Sequence, residues 1–76
     1  MRVLIIGGGG REHALAWKVL QEVPSTELIA APGNPGIATL GECVPIATSD
    51  IVGLAALARE RRVDLTIVGP EAPLEG

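Results

Sequence analysis

The chain has 76 residues, enough for one small domain with a thin core, and no Phe or Tyr; Trp17 is its single aromatic residue. A net charge of −3 argues against a general nucleic-acid or membrane-surface role, since both need a clustered positive field. One cysteine, Cys43, excludes an internal disulfide and gives no metal-ligand spacing, and its place in the apolar run "CVPIA" reads as a buried strand thiol.

The opening "MRVLII" is too short an apolar run for a signal peptide or a membrane span, so a cytoplasmic location is the expectation. Arg2 to Ile6 reads as a strand buried on both faces, a continuous apolar run ending in glycine. The pattern then turns helical from Glu12 to about Glu22, with Ala14, Trp17 and Val19 or Leu20 as its apolar face and Pro24 as its stop. Glu27 to Ala31 predicts a second strand, closed by the loop "APGNPG", and Ile37 to Leu40 a short helical turn.

"CVPIA" predicts a third strand, with Pro45 pushing it toward a sheet edge because proline donates no ladder hydrogen bond. Thr48, Ser49 and Asp50 offer caps for a helix whose face is Ile51, Leu54, Ala55 and Ala58. Arg59, Arg61 and Arg62 read as its solvated C-terminus, where cations complement the helix dipole. Asp64 to Val68 is the fourth strand, followed by the loop "GPEAPLEG". Strands alternating with helices predict an α/β fold, an open doubly wound parallel sheet. A fourth strand that ends in a loop suggests the front piece of a longer protein.

In such a sheet the ligand crevice lies beyond the carboxyl ends of the strands, where "GGGGREH", "APGNPG" and "GPEAPLEG" gather. Glycines bring backbone N–H groups close to an anion at a helix N-terminus, so the quartet Gly7 to Gly10 reads as a phosphate seat. The dinucleotide fingerprint fails, because its third glycine position holds Glu12 or His13 and no acid follows the second strand; a Walker loop fails for want of Gly-Lys-Ser/Thr.

Arg11 could pair with a phosphate through its planar fork, and Glu12, read as facing the crevice, could accept hydrogen bonds from an amine or sugar hydroxyls. Glu12 could equally complement the helix dipole. His13 reads as a satisfied helix histidine, and no nucleophilic triad can be assembled. Asn34 suits a turn as well as a ligand contact, and Glu71 is a carboxylate in a proline-stiffened loop at the sheet edge.

Together "VLIIGGGGREHALAWK", "APGNPGIA" and "DLTIVGPEAPL" closely resemble the start of the phosphoribosylamine–glycine ligase family, also called glycinamide ribonucleotide synthetases, from Met1 to Leu74. The resemblance implies a Rossmann-like, pre-ATP-grasp N-terminal substrate-binding domain spanning residues 1–76. The enzyme so implied joins glycine to 5-phosphoribosylamine with ATP in de novo purine biosynthesis, through an acyl phosphate.

By motif position, Gly9, Gly10 and Arg11 would meet the phosphoribosyl substrate and Glu71 its ribose, with Glu12 and Asn34 at the same crevice. ATP and its Mg2+ or Mn2+ would bind outside these residues, so no catalytic or metal-ligating residue is assigned within the chain. The implied partners are small molecules, with no nucleic acid or membrane, and the fragment alone is expected to be inactive. The rival expectation is a stand-alone nucleotide-binding or regulatory module without catalysis.

Overall fold

The computed structural model describes residues 1–69. In chain order they form β1 (Arg2–Gly7), α1 (Gly10–Glu22), β2 (Glu27–Pro32), α2 (Pro35–Ala38), β3 (Glu42–Cys43), α3 (Ile51–Glu60) and β4 (Leu65–Val68). The strands make one sheet in the order β3-β2-β1-β4, and every pairing is parallel. The alternating, all-parallel α/β architecture expected from the sequence is therefore the one observed.

β1 lies in the interior of the sheet, paired along Arg2↔Glu27 to Gly7↔Pro32 on one side and Val3↔Leu65 to Ile6↔Val68 on the other. Alternate side chains of a strand face opposite ways, so a run of apolar residues can fill two cores at once. Val3, Leu4 and Ile5 are all 0 % exposed. Val3 and Ile5 pack with Leu28, Ala30, Ala16 of α1 and Ile37 of α2 on one face. Leu4 packs with Ile29, Ala31, Leu54 and Leu57 on the other, beneath α3. Helices on both faces make the sheet doubly wound.

The first longer helix is rotated from the face read off the sequence, whereas the second presents the expected face to the sheet. In α1 the buried residues are Glu12 and Ala16, with Val19 and Leu20 packed against the core, whereas Ala14 is exposed and Trp17 is 55 % exposed. The small Ala16 lets the helix approach β1 closely, and the charged Glu12 on the same face disguised it as polar. In α3 the buried pair is Leu54 and Leu57, with Ala58 packed against them. The four residues of the expected face, Ile51, Leu54, Ala55 and Ala58, together line an apolar hollow with Leu4, Ile6, Thr66 and Val68 beside β4.

Asp50 supplies the expected cap of α3, its carboxylate accepting from the Gly53 N–H at 2.9 Å. The third strand is shorter than expected. Only Glu42 and Cys43 pair with β2, one further bond runs from the Val44 N–H to the Ala30 carbonyl, and Pro45 cannot continue the ladder. β3 does lie at the sheet edge.

Polar contacts tie the amino end of the sheet together. The Arg2 backbone N–H donates to Asp64, and its guanidinium reaches Glu27 and the Arg61 carbonyl. Arg61, at the end of α3, grips Glu42 of β3 with two hydrogen bonds of 2.7 Å each. Those hydrogen bonds hold the Glu42 carboxyl below its ordinary value; partial desolvation opposes them and the charge of Arg61 assists.

Two outcomes follow. Leu4→Ala opens a cavity in the shared core and should cost about 2–5 kcal/mol in urea unfolding, a large part of what a small domain possesses. For Glu42, whose folded pKa is depressed, the stabilisation is complete above its ordinary value and disappears as pH falls through the lowered one. Arg61→Ala should move the Glu42 titration midpoint upward in a carboxyl NMR titration and remove that acid-side dependence.

Candidate phosphate-binding site

The order β3-β2-β1-β4 sets β2 on one side of β1 and β4 on the other. The chain thus reverses its direction of travel across the sheet at β1, and the gap between the carboxyl ends of β1 and β4 is the topological switch point where open α/β sheets bind ligands. Three segments meet there: the glycine quartet after β1, residues 33 and 34 after β2, and Gly69 after β4, whose N–H donates to the Ile6 carbonyl at 2.8 Å.

The four glycines have different work. Gly7 has φ +139, a conformation that side chains rarely adopt. Gly8 touches the neighbouring loop so closely that a Cβ would sit 2.6 Å from the Gly33 carbonyl oxygen. Gly9 is the N-cap of α1 and offers no side-chain cap, while a Cβ on Gly10 would meet nothing within 4 Å among the described residues. The fold therefore needs glycine at 7 and 8 for its own packing, and leaves open space over Gly10. The first amides of α1, which have no acceptor inside the helix, open onto that space.

Asn34 fastens the second loop to the first. Its amide nitrogen donates to the Gly8 carbonyl at 2.8 Å and the Gly9 carbonyl at 3.3 Å, while its amide oxygen accepts from the Ile37 N–H and caps α2. Gly33 adds a backbone bond to the Gly7 carbonyl at 3.0 Å. The half-buried Cys43 thiol donates to the Asn34 carbonyl, 3.6 Å away, so it braces the loop from beneath. The dipeptide Asn-Pro ahead of a short apolar turn is an N-cap signature, and that signal was available in the sequence.

Arg11 stands exposed on the first turn of α1, and its guanidinium makes no hydrogen bond or ion pair among the described residues. His13 is also exposed, its ring close over Gly36, where a Cβ would lie 2.8 Å from Cε1. Glu12 departs from the sequence reading that turned it toward the crevice. It is 0 % exposed, on the inner face of α1, because the helix places its third residue over the end of the sheet. Glu71 lies outside the described residues. Among the described residues no group of three His, Cys, Asp or Glu gathers as a metal-binding set. No helix among them is long and apolar enough to cross a membrane.

A doubly wound all-parallel sheet with a glycine-opened helix N-terminus at its switch point defines a Rossmann-like α/β domain. The sequence model of the family described as "Phosphoribosylglycinamide synthetase, N domain" matches residues 1–76, the entire chain, and the chain belongs to that family. Similar curated proteins bear the name phosphoribosylamine–glycine ligase. That of Xanthomonas campestris pv. campestris is 54 % identical over 76 residues, covering 97 % of this chain and 18 % of the relative. That of Xylella fastidiosa strain 9a5c is 51 % identical, covering 97 % and 17 %, and that of Caulobacter vibrioides 51 %, covering 99 % and 18 %. The chain thus spans about 18 % of the length of such relatives.

The latch at Asn34 can be tested directly. Asn34→Ala removes the α2 cap and strands two loop carbonyls, and should cost roughly 1–3 kcal/mol in urea unfolding. Asn34→Asp keeps the cap acceptor but faces a carboxylate toward those carbonyls, so it should not recover the loss.

Proposed function

We propose that this chain is the part of a phosphoribosylamine–glycine ligase that holds the phosphoribosyl substrate. The whole enzyme would join glycine to 5-phosphoribosylamine at the expense of ATP in purine biosynthesis, in the cytoplasm. ATP and Mg2+ or Mn2+ would bind in portions that the relatives carry beyond the matched length, and the isolated chain would bind substrate without ligation.

The observation that carries this reading is the open space over Gly10 at the uncapped start of α1. Ala in place of Gly at a compatible position stabilises by roughly 0.4–1 kcal/mol through the unfolded chain, so a glycine at the first position of α1 with no neighbour to avoid among the described residues is explained by an external one. A substrate phosphate would take the amides of Gly9, Gly10 and Arg11, with the Arg11 guanidinium closing on its outer oxygens. Asn34 would serve the ligand by fixing the carbonyls on the opposite side of that loop. Glu71, two residues beyond Gly69 in the sequence, would accept hydrogen bonds from the ribose hydroxyls.

Ribose 5-phosphate tests the assignment. Titrated into the labelled chain, it should shift the amide resonances of Gly9 to Glu12 more than those of α3. Gly10→Ala should raise stability by roughly 0.5–1 kcal/mol while weakening ribose 5-phosphate at least about tenfold, because the methyl group fills space the phosphate needs. Arg11→Ala should weaken it roughly 5- to 10-fold. Glu71→Ala should weaken ribose 5-phosphate but leave inorganic phosphate unchanged. A stabilised Gly10→Ala chain that binds as well as the parent would refute the proposal.

A further inference from the structure

Beneath the glycine loop lies a carboxylate with no solvent-exposed surface. Glu12 is among the largest fully buried side chains of the domain, together with Val3, Leu4, Ile5 and Ile37. It projects from the third position of α1 toward the switch point, and two glycines make room for it. A Cβ at Gly7, the last residue of β1, would collide with its carboxylate, and its Cγ lies only 2.8 Å from that position. A Cβ at Gly69, just past β4, would collide with the same carboxylate, with Cγ at 2.7 Å. Gly7 and Gly69 follow the paired residues Ile6 and Val68, so Glu12 fills the gap between two adjacent strand ends.

We infer that Glu12 is a positioning residue of the phosphate site, a buried wedge that sets the separation between the glycine loop after β1 and the segment leaving β4. The inference rests on the site proposed above, and it assigns Glu12 no contact with ligand. An acidic side chain is costly to bury, and an apolar one would fill the volume at less cost. The positive end of the α1 dipole favours a negative group at this place, so the wedge is held where the loop amides emerge. With Gly7 and Gly69 pressed on either side of it, a change in the volume of Glu12 moves the loop that carries Gly9 and Gly10.

A double-mutant cycle between Glu12 and Gly69 reads this out, with ribose 5-phosphate and inorganic phosphate as probes and the amide shifts of Gly9 and Gly10 as signal. Gly69→Ala should displace the carboxylate and weaken both probes about tenfold, whereas in a Glu12→Ala background the same methyl group has room and should change affinity less than about twofold. Inorganic phosphate, which makes no ribose contact, should follow the same pattern as ribose 5-phosphate, because Glu12 acts through the loop that carries Gly9 and Gly10. If Glu12→Ala does not fold, Glu12→Asp, one methylene shorter, takes its place in the cycle.

Additive effects in the cycle, or an inorganic phosphate affinity that Gly69→Ala leaves unchanged, overturn the inference. So does a fall in melting temperature with unchanged affinity of the folded chain, which marks a purely structural role. No shift with either probe in the wild-type chain overturns the site itself, and the positioning role with it.

Discussion

Everything in this domain hangs on β1 being covered on both faces by so short a chain. Val3 and Ile5 belong to one core and Leu4 to the other, and no side chain of β1 can be spared from either. Burying such a strand requires partners on both edges and helices on both sides, and the chain meets that demand by sending β2 and β3 one way and β4 the other. The same reversal opens the crevice at the carboxyl ends. Stability and the location of the site are thus two consequences of one constraint.

The two ends of the sheet then divide the polar work. At the amino end, Arg2, Glu27, Asp64, Glu42 and Arg61 form a surface network that pairs charge with charge. Exposed pairs of this kind contribute little each, but they engage Arg2 and Arg61 within the protein itself. The carboxyl end is built from backbone instead. There the loops are joined by main-chain carbonyls, the Asn34 amide and close glycine contacts, leaving Arg11 as a cation with no internal engagement among the described residues.

That contrast explains why a glycine quartet is more than a flexible turn. Gly7 and Gly8 are consumed by the fold, one by its backbone angle and the other by its contact with Gly33, and Asn34 then holds the loop in that shape. A preorganised loop loses little freedom when an anion arrives. The two remaining glycines keep the helix start uncluttered, and membership in the phosphoribosylglycinamide synthetase N-domain family gives that bareness a chemical context.

The sequence by itself determined the strands, their parallel arrangement, the edge position of β3 and the apolar face of α3. These are set by local pattern: an apolar run such as Val3 to Ile6 is buried on both faces whatever its neighbours are, and Pro45 cannot pair anywhere. Only the tertiary structure decided which face α1 presents, that Trp17 stays outside while Ala16 goes in, and that Asn34 latches two loops. It also decided that Glu12 lies under the crevice rather than in it. Those outcomes depend on how closely a helix approaches the sheet and on which glycines leave it room, and spacing along one segment carries no record of either.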